Sequence, residues 1–545
     1  MNQQTRSLLA GVLSLLVFFL WYQFYAKKMI PPPAPTSVTQ NSTLPTGGTL
    51  ANGSLAPMRP ELSDLGLPKG EEKLVVLENN LFSVTFSSYG GRIKSFLLKN
   101  FHEQATQKSP RVDLLPQPGD EMARVFCREC NFILPDSVSA GANYRVSAST
   151  DNEVTFETES HGILLRKTYQ WVPDQYYLTM KVSLENHTNQ GLQGTLGLEA
   201  VSQQVSEEKK GFLSFLKRGS PPKDFVYQGS GKIERFRQKQ GSSEFVGPVA
   251  WVGMESQYFL TALINRRLSS EQVLRMTQEG SVLKQALLPE HVVVSPKGRY
   301  DEDFTLYLGP KDRKHLELAG VGLEGAVDYG WFGVIAVPIA KLLQFFYGWV
   351  RNWGLAIILL TVFVKVLTNP LAIKSLQQMK EMKKLQPEMQ RLKEKFKEDK
   401  QRLNMEMMQL FKTHKVNPMG GCLPMFLQMP IYIALYKVLY NSIELYHAPF
   451  FGFYRDLSGP DPYFILPVLL GVFMVLQQKM TPQASVDPTQ KEMMMIMPVM
   501  FTAFMLFLPV GLVLYILINT FMSVVQQYMS QREIRWRDLL SIKNS

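Results

Sequence analysis

Long apolar segments without charged residues constrain this 545-residue chain more than any other feature of its sequence. Residues 8–26 form one such segment, and four or five more lie in the last 200 residues. A helix of about 20 apolar residues crosses the roughly 30 Å hydrocarbon core of a bilayer. The average composition hides this pattern, because 45% hydrophobic residues, 19% charged residues and a mean hydropathy of −0.06 would suit a soluble protein. The distribution excludes a soluble enzyme and a disordered scaffold, and it predicts a polytopic membrane protein.

The first 325 residues predict an anchor, a tether and a large water-facing domain. Residues 1–28 contain the first apolar run and lack a small-x-small cleavage site, so we interpret them as an uncleaved transmembrane anchor. Residues 29–60 are rich in Pro, Ser, Thr and Gly, which is typical of a flexible linker. Residues 61–325 contain runs that alternate apolar and polar residues between turn residues, and they predict a large antiparallel β-sandwich. The clearest runs are residues 81–86, 154–158 and 177–184.

Residues 326–545 predict a helical membrane core. Residues 331–347 are apolar and aromatic but contain a proline and a lysine, so we interpret them as a helix that lies on the membrane surface. Five spans are predicted after this helix, at residues 352–370, 423–440, 463–478, 493–508 and 511–526. Only two residues separate the last two, which predicts a short hairpin with its tip at or inside one face of the bilayer. With the N-terminal anchor, the total is six spans.

The distribution of basic residues predicts the orientation of the spans. Twelve Lys and Arg residues lie between residues 371 and 418, and more lie after the last span, whereas the loop at 441–462 has only Arg455. Positively charged loops stay in the cytoplasm, so the basic loop and the C-terminal tail are predicted to be cytoplasmic. Parity through six spans then places the N-terminus inside and the β domain outside. The net charge of +11 suits loops that face anionic lipid, with RNA as the second possibility.

Within the basic loop, residues 376–414 predict a coiled-coil hairpin. Apolar residues follow a 3-4 spacing on both sides of Asp399, and Pro387 is expected to kink the first helix or to mark its first turn. The exposed face has most of the basic residues. A solvated charged face and a binding face for phospholipid or ribosomal RNA both fit this pattern.

Lys365 is the strongest single candidate for a functional residue, because it lies within a predicted span. A lysine at the centre of a membrane helix costs roughly 2.5–3.5 kcal/mol, so its side chain should face water or a partner. Snorkelling is the alternative, since Pro370 follows about 8 Å further along the helix. Thr361 lies one turn away on the same face, Gln428 lies in the next span, and no acidic residue is placed to neutralise the lysine. This combination favours a wet cavity inside the bundle over a buried ion pair.

The sequence contains no pattern that predicts catalysis or a cofactor. It has no nucleophilic triad, phosphate-binding loop or paired-histidine metal motif, so we expect neither an enzyme nor a bound metal. For Cys127 and Cys130, a local disulfide and two free thiols are both open. The 26 methionines concentrate in the membrane half, where they either fill apolar space or form a soft surface for varied apolar clients.

The segment at 417–430, Asn-Pro-Met-Gly-Gly-Cys-Leu-Pro-Met-Phe-Leu-Gln-Met-Pro, resembles the signature of the YidC/Oxa/Alb family of membrane protein insertases. The resemblance extends over the whole chain, from the anchor and tether through the external β domain to the closing Pro-Val-Gly-Leu-Val-Leu-Tyr, and it matches the Gram-negative form. The positions that match the motif are Asn417, Pro418, Gly420, Gly421, Pro424 and Pro430.

The resemblance implies a hydrophilic groove among the last five spans, open to the cytoplasm and to lipid. The basic residue that attracts clients falls on Lys365, where many relatives have arginine, and the groove positions fall on Thr361, Gln428, Tyr515 and Asn519. The external domain is expected to resemble a β-supersandwich of the sugar-mutarotase type, without established catalysis.

We therefore expect a non-enzymatic insertase and chaperone of the bacterial inner membrane, with both termini in the cytoplasm and the large domain in the periplasm. The implied partners are nascent membrane proteins, the Sec translocon with its accessory subunits, the ribosome and the bilayer, but not DNA. A membrane-anchored carbohydrate-active enzyme and a small-solute transporter are the alternatives.

Overall fold

The computed structural model describes residues 71–106, 108–115, 143–195, 198–203, 224–236, 241–265, 272–279, 282–288, 291–414, 416, 423–452, 454–481 and 488–532. The predicted anchor, the linker and the Cys127 and Cys130 pair lie outside these residues. So do the motif residues Asn417, Pro418, Gly420 and Gly421 and most of the basic tail.

The first half of the described chain consists of antiparallel strands. The bounds are β1 Leu74–Glu78, β2 Phe82–Ser87, β3 Arg92–His102, β4 Arg111–Asp113, β5 Arg145–Ser149, β6 Glu153–Ser160, β7 Ile163–Trp171, β8 Tyr177–Asn186, β9 Leu192–Thr195, β10 Leu198–Gln203, β11 Asp224–Gly229, β12 Lys232–Phe236, β13 Gly241–Val246, β14 Val249–Glu255, β15 Phe259–Ile264, β16 Val273–Glu279, β17 Val282–Leu288, β18 His291–Val294 and β19 Arg299–Pro310.

The strands form a sandwich around one apolar core. The largest sheet has nine strands in the order β12-β11-β14-β15-β19-β8-β7-β6-β5. Two four-stranded sheets, β1-β2-β3-β4 and β10-β17-β16-β13, and the pair β18-β9 complete the domain. Residues from the three larger sheets, including Phe82, Trp251 and Leu274, share the buried core. The predicted antiparallel β-sandwich is confirmed, because the period-two runs at 81–86, 154–158 and 177–184 coincide with β2, β6 and β8 within a few residues.

Strand β7 shows how the sequence pattern places a charge inside this core. Its residues alternate between the interior and the surface, and Lys167 occupies an interior position with no exposed area. The Lys167 ammonium donates to the Gly90 carbonyl at 2.7 Å and lies 5.1 Å from the centre of the Tyr144 ring. The Tyr169 hydroxyl donates to the Gly91 carbonyl at 2.8 Å. Two side chains of the large sheet therefore hold the glycine turn of the β1–β4 sheet.

We expect Lys167 to make the stability of the β domain depend on pH. Burial, with a smaller effect from the nearby Arg92 charge, lowers the pKa of Lys167 from 10.5 to about 7. Between these two values the unfolded chain holds a proton that the folded chain has released, so the free energy of unfolding rises with pH. The rise between pH 7 and pH 9 should be about 2 kcal/mol, measured by denaturant unfolding.

Lys167→Met should remove this rise, because methionine keeps the length of the side chain and does not titrate. Lys181→Met on the adjacent strand β8 is the control, since Lys181 is exposed and its loss should leave the pH dependence intact. Equal slopes for the native chain and Lys167→Met would contradict the assignment.

The second half of the described chain is helical. The bounds are α1 Arg313–Ala319, α2 Gly333–Val350, α3 Trp353–Lys395, α4 Lys400–Thr413, α5 Leu423–Asn441, α6 Ile465–Met480, α7 Pro488–Met505 and α8 Val510–Gln531, with 3-10 turns at Leu323–Ala326, Gly330–Phe332 and Ile443–Leu445. Three of the described helices are long and apolar enough to cross a membrane: the α2 segment Gly330–Val350, α3 and α8. The assignment of residues 331–347 to the membrane surface and the total of six spans stay predictions.

Helix α3 differs from the expectation that the span ends at Pro370. It continues for 43 residues as one helix that includes both Pro370 and Pro387. A proline removes one backbone hydrogen bond and bends a helix, but it does not end the helix when the flanking residues favour helical geometry. The span and the first arm of the basic segment are therefore continuous. The arm ends at Lys395, and Asp399 caps α4 by accepting a hydrogen bond from the Arg402 amide at 3.0 Å.

The β domain rests on the loop between α5 and α6. The His102 carbonyl, at the end of β3, accepts a hydrogen bond from the Tyr446 hydroxyl at 2.7 Å and lies 3.1 Å from His447 Nε2. Gln257 donates to the Tyr440 carbonyl at 2.7 Å. These contacts place the α5–α6 loop on the same side of the bundle as the β domain.

A chain of ion pairs continues this junction into the helices. Glu255 lies between Arg235 and Lys311, with N–O distances of 2.5 Å and 3.0 Å. Asp328 lies 3.8 Å from both Arg235 and Lys437, and Lys437 belongs to α5. Side chains of the sheet, of the connecting segment and of a helix are thus linked through two carboxylates.

Candidate functional site

Polar side chains collect where α3, α5 and α8 meet, farther from the β domain than the apolar part of the bundle. We call this group the polar seam. It consists of Lys365 and Asn369 on α3, Gln428 and Tyr432 on α5, and Asn519, Ser523 and Gln526 on α8.

Lys365 joins α3 to α8. Its ammonium donates to Ser523 Oγ at 2.7 Å, and the Ser523 hydroxyl donates in turn to the Asn519 carbonyl at 2.8 Å. The lysine side chain is half-buried. No carboxylate in the described part of the chain forms an ion pair with Lys365.

Asn519 joins α8 to α5. Its side-chain oxygen accepts Gln428 Nε2 at 3.3 Å, and its Nδ2 donates to the Tyr432 hydroxyl. Asn519 is buried, with 4% of its surface exposed, so these hydrogen bonds are made away from bulk water. The structure therefore brings together three of the five groove residues expected from the sequence: Lys365, Gln428 and Asn519.

Thr361 and Tyr515 lie one helical turn before Lys365 and Asn519, toward the β domain and among apolar residues. Thr361 has no exposed area, and its hydroxyl donates to the Ile357 carbonyl of its own helix at 2.7 Å. Tyr515 is 1% exposed and contacts the Tyr432 ring, with ring centres 5.8 Å apart. Within the described residues, the Tyr515 hydroxyl is buried without a hydrogen-bond partner. Neither side chain is hydrogen-bonded into the seam. Pro430 lies inside α5, and so does Pro424, although the side chain of Pro424 is not described.

Four members of the seam were not among the expected residues: Asn369, Tyr432, Ser523 and Gln526. Gln526 donates to Asn369 at 2.6 Å one turn beyond the Lys365–Ser523 contact. The spacing of Asn519, Ser523 and Gln526 is a signal that could have found two of them, because residues three and four apart share one face of a helix.

The bundle changes from polar to apolar along its length. Toward the β domain the space between α3, α5 and α8 is filled by residues with 5% or less of their surface exposed: Ile357, Leu360, Leu435, Leu439, Val513, Leu514 and Leu517. Away from the β domain, beyond Asn369, the Lys380 ammonium donates to the Ser530 carbonyl and Gln527 donates to Thr481 at 3.1 Å. Among the described residues, the polar contacts between these helices thus lie farther from the β domain than the apolar packing.

The seam offers hydrogen bonding and positive charge but no catalytic constellation. Within the described ranges, no group of three His, Cys, Asp or Glu residues could hold a metal ion. The chemistry available at this site is reversible attraction of polar or negatively charged groups.

Comparison with known proteins connects this arrangement to a family. Residues 74–342 match the family model described as YidC periplasmic domain, and residues 345–537 match the one described as 60Kd inner membrane protein. The chain is 36% identical over 555 residues to the membrane protein insertase YidC of Syntrophus aciditrophicus, with 96% of this chain and 98% of the relative covered. The chain belongs to the YidC family of membrane protein insertases. A second YidC relative, from Anaeromyxobacter dehalogenans, is 36% identical with 97% of each chain covered.

Among solved structures, a crystal structure of an active YidC insertase covers 84% of this chain and 93% of its own, with 18% sequence identity and a TM-score of 0.38. Membership in the YidC family confirms the predicted function as a membrane protein insertase and the prediction that the protein is not an enzyme. It also confirms an inner membrane protein with a periplasmic domain. The β domain is therefore the periplasmic domain, and the α5–α6 loop contacts it.

Proposed function

We propose that the polar seam is the wall of a hydrophilic groove, in which this insertase receives the polar segment of a nascent membrane protein. The single observation that supports this most directly is the Lys365 ammonium, which lies at the meeting point of three helices without a carboxylate partner in the described part of the chain. A half-buried charge without a counterion is costly, so a protein retains one where a ligand uses it.

The groove lowers the cost of moving polar groups into the membrane. A client's polar tail loses water when it leaves the cytoplasm, and the amides of Gln428 and Asn519 replace part of its hydration. Lys365 attracts an acidic tail across a site of lower dielectric constant than water. The apolar residues around Leu360 and Leu514 close the groove toward the periplasm.

The client's apolar helix leaves the groove along α5 and α7, the third and fifth of the predicted spans. The outer surfaces of both helices expose large apolar side chains, among them Met429 and Ile433 on α5 and Val499 and Met500 on α7. Burial of the client helix in lipid and the membrane potential acting on its charges supply the driving force without nucleotide hydrolysis.

We place the basic hairpin formed by the end of α3 and α4 in the cytoplasm. Helix α3 begins at the periplasmic junction, where Asn352 donates to the Phe450 carbonyl at 2.7 Å, and its 43 residues extend about 65 Å. That length crosses the bilayer and continues well beyond it. Leu385 and Met389 pack against Met407 and Leu410 in a small separate core. In the proposed topology the chain has six spans, and both termini lie in the cytoplasm. The β domain is a supersandwich of the mutarotase type in the periplasm.

The hairpin is also the part of the chain best suited to bind a ribosome. Its described surface is rich in Lys and Arg, and such surfaces bind phosphate backbones through charge. We propose the ribosome, and the Sec translocon with its accessory subunits, as partners during insertion, together with the nascent chain and the bilayer.

Photocrosslinking of ribosome-stalled nascent chains tests the groove. A photoreactive residue at position 428 or 369 should capture the client's polar tail, and one at position 429 or 500 should capture its apolar segment. Position 360 is the control, because Leu360 has no exposed area and lies in the apolar closure.

Capture of the polar tail at position 360, or equal capture at every position, would contradict the groove. In a parallel measurement, the chain lacking the hairpin beyond Lys380 should lose co-sedimentation with ribosomes while its helices stay resistant to protease. Unchanged co-sedimentation would exclude the hairpin as the ribosome contact.

A further inference from the structure

The hydroxyl of Ser523 has only one orientation that satisfies both of its neighbours. A serine hydroxyl has one proton to donate and two lone pairs with which to accept. The proton is directed to the Asn519 carbonyl, one turn earlier on α8, at 2.8 Å. The lone pairs are therefore left for the Lys365 ammonium, which lies 2.7 Å away.

This arrangement keeps the lysine in the bundle. The lysine stem has four rotatable carbons, and Pro370 lies about 8 Å away along α3, so the ammonium could otherwise extend toward the cytoplasmic water. Only the Ser523 oxygen accepts a hydrogen bond from Lys365 within the described residues. An ammonium has three donors, and this contact uses one of them. The other two remain for a ligand.

We propose that Ser523 is a positioning residue for the Lys365 ammonium: it holds the charge at the meeting point of α3, α5 and α8 and leaves two donors for a carboxylate of the client. This inference rests on the proposed groove, and it explains how a flexible lysine acts at a fixed place. It also assigns a specific function to a residue that otherwise resembles an ordinary helix serine bonded to its own backbone.

Amine labelling tests the position of Lys365 without any client. In membrane vesicles with the cytoplasmic face outward, an impermeant acylating reagent should modify Lys365 several-fold faster in Ser523→Ala than in the native chain, measured by peptide mass spectrometry. Ser523→Thr should restore the slow rate, because threonine keeps the hydroxyl. Equal rates in all three proteins would overturn the proposal.

A second experiment places a carboxylate where the client's would bind. Ser523→Asp puts an acidic group beside Lys365, so it should slow the insertion of an acidic-tailed client at least tenfold. Ser523→Asn has nearly the same shape as Ser523→Asp but no charge, so it should insert the same client several-fold faster than Ser523→Asp. Equal slowing by Asp and Asn would overturn the proposal.

The outcomes separate this inference from the groove itself. If Lys365→Ala discriminates between acidic and neutral tails but the labelling rates do not change with Ser523, the positioning function fails and the groove stands. If labelling responds to Ser523 but Lys365→Ala shows no dependence on the client's tail, Ser523 still positions the lysine and electrostatic recruitment fails. Protease digestion of each variant confirms that its helices are folded, so that only folded variants are compared.

Discussion

Lys365→Ala should slow the insertion of a client with an acidic external tail by about tenfold to a hundredfold, and it should affect the same client with a neutral tail by less than about threefold. The larger effect corresponds to roughly 1.4–2.8 kcal/mol of lost attraction, which is reasonable for one charge pair in a partly hydrated cavity. The measurement is an insertion assay on one client whose tail contains either Asp or Asn residues.

The other substitutions at this position separate charge from shape. Lys365→Arg keeps the positive potential and should retain insertion of acidic tails, although the guanidinium presents a different set of donors. Lys365→Glu should be the most damaging, since it repels the tail and adds its own burial cost. If the acidic and the neutral tail respond equally to Lys365→Ala, electrostatic recruitment is excluded while the insertase function is not. A snorkelling lysine would tolerate both Ala and Arg.

Glu255→Ala should destabilise the junction between the periplasmic domain and the helices by about 3–5 kcal/mol. Glu255 accepts from Arg235 and Lys311, and Lys311 is 5% exposed. Burial lowers the pKa of Lys311, and the Glu255 carboxylate opposes that shift. Without the carboxylate, a buried ammonium is left without its partner. Denaturant unfolding of the full chain in detergent measures the loss.

Two control variants distinguish the buried pair from ion pairs in general. Glu244→Ala removes an exposed ion pair, since the Glu244 side chain is 48% exposed and the Arg275 side chain 52%. Its loss should lower the free energy of unfolding by less than about 1 kcal/mol. The double variant Glu255→Leu with Lys311→Met should recover most of the stability, because it removes both charges and keeps the volume. Equal losses in Glu255→Ala and Glu244→Ala would show that burial does not decide the effect.

The architecture of the β domain could be predicted because the residues of each strand show which side faces the core and which faces solvent. An alternation with period two in strands such as β7 and β8 is a local signal, and the observed strands follow it. Which strands pair is not local, so the order of the nine-stranded sheet could not be read from the sequence. Lys167 shows the limit on single residues: its interior position follows from the alternation, but the Gly90 carbonyl that it contacts lies 77 residues away.

At the site, the sequence could identify residue types but not their partners. A lysine or an amide within an apolar span is unusual enough to stand out, which identified Lys365 and Gln428, whereas Asn519 was expected only from the family resemblance. Ser523 was not predicted, because a serine in a membrane helix commonly bonds to its own backbone, and only its spacing from Asn519 and Gln526 connects it to the site. The continuity of α3 was missed for a related reason, since a proline in sequence favours a helix end although the fold can accommodate a bend.

Helix α3 is packed tightly at its first turn and extends about 65 Å from there. In this turn, Gly354 lies so close to the Phe450 ring that a side chain at position 354 would overlap the ring. This close packing prevents the start of α3 from sliding along its neighbour. A rotation of α3 by about 5° about its first turn would move Lys365, which precedes both prolines, by about 1.5 Å. A displacement of 1.5 Å is enough to break the 2.7 Å contact between Lys365 and Ser523. The contact between Lys365 and Ser523 therefore depends on the orientation of α3, which the packing of Gly354 against Phe450 fixes 11 residues away.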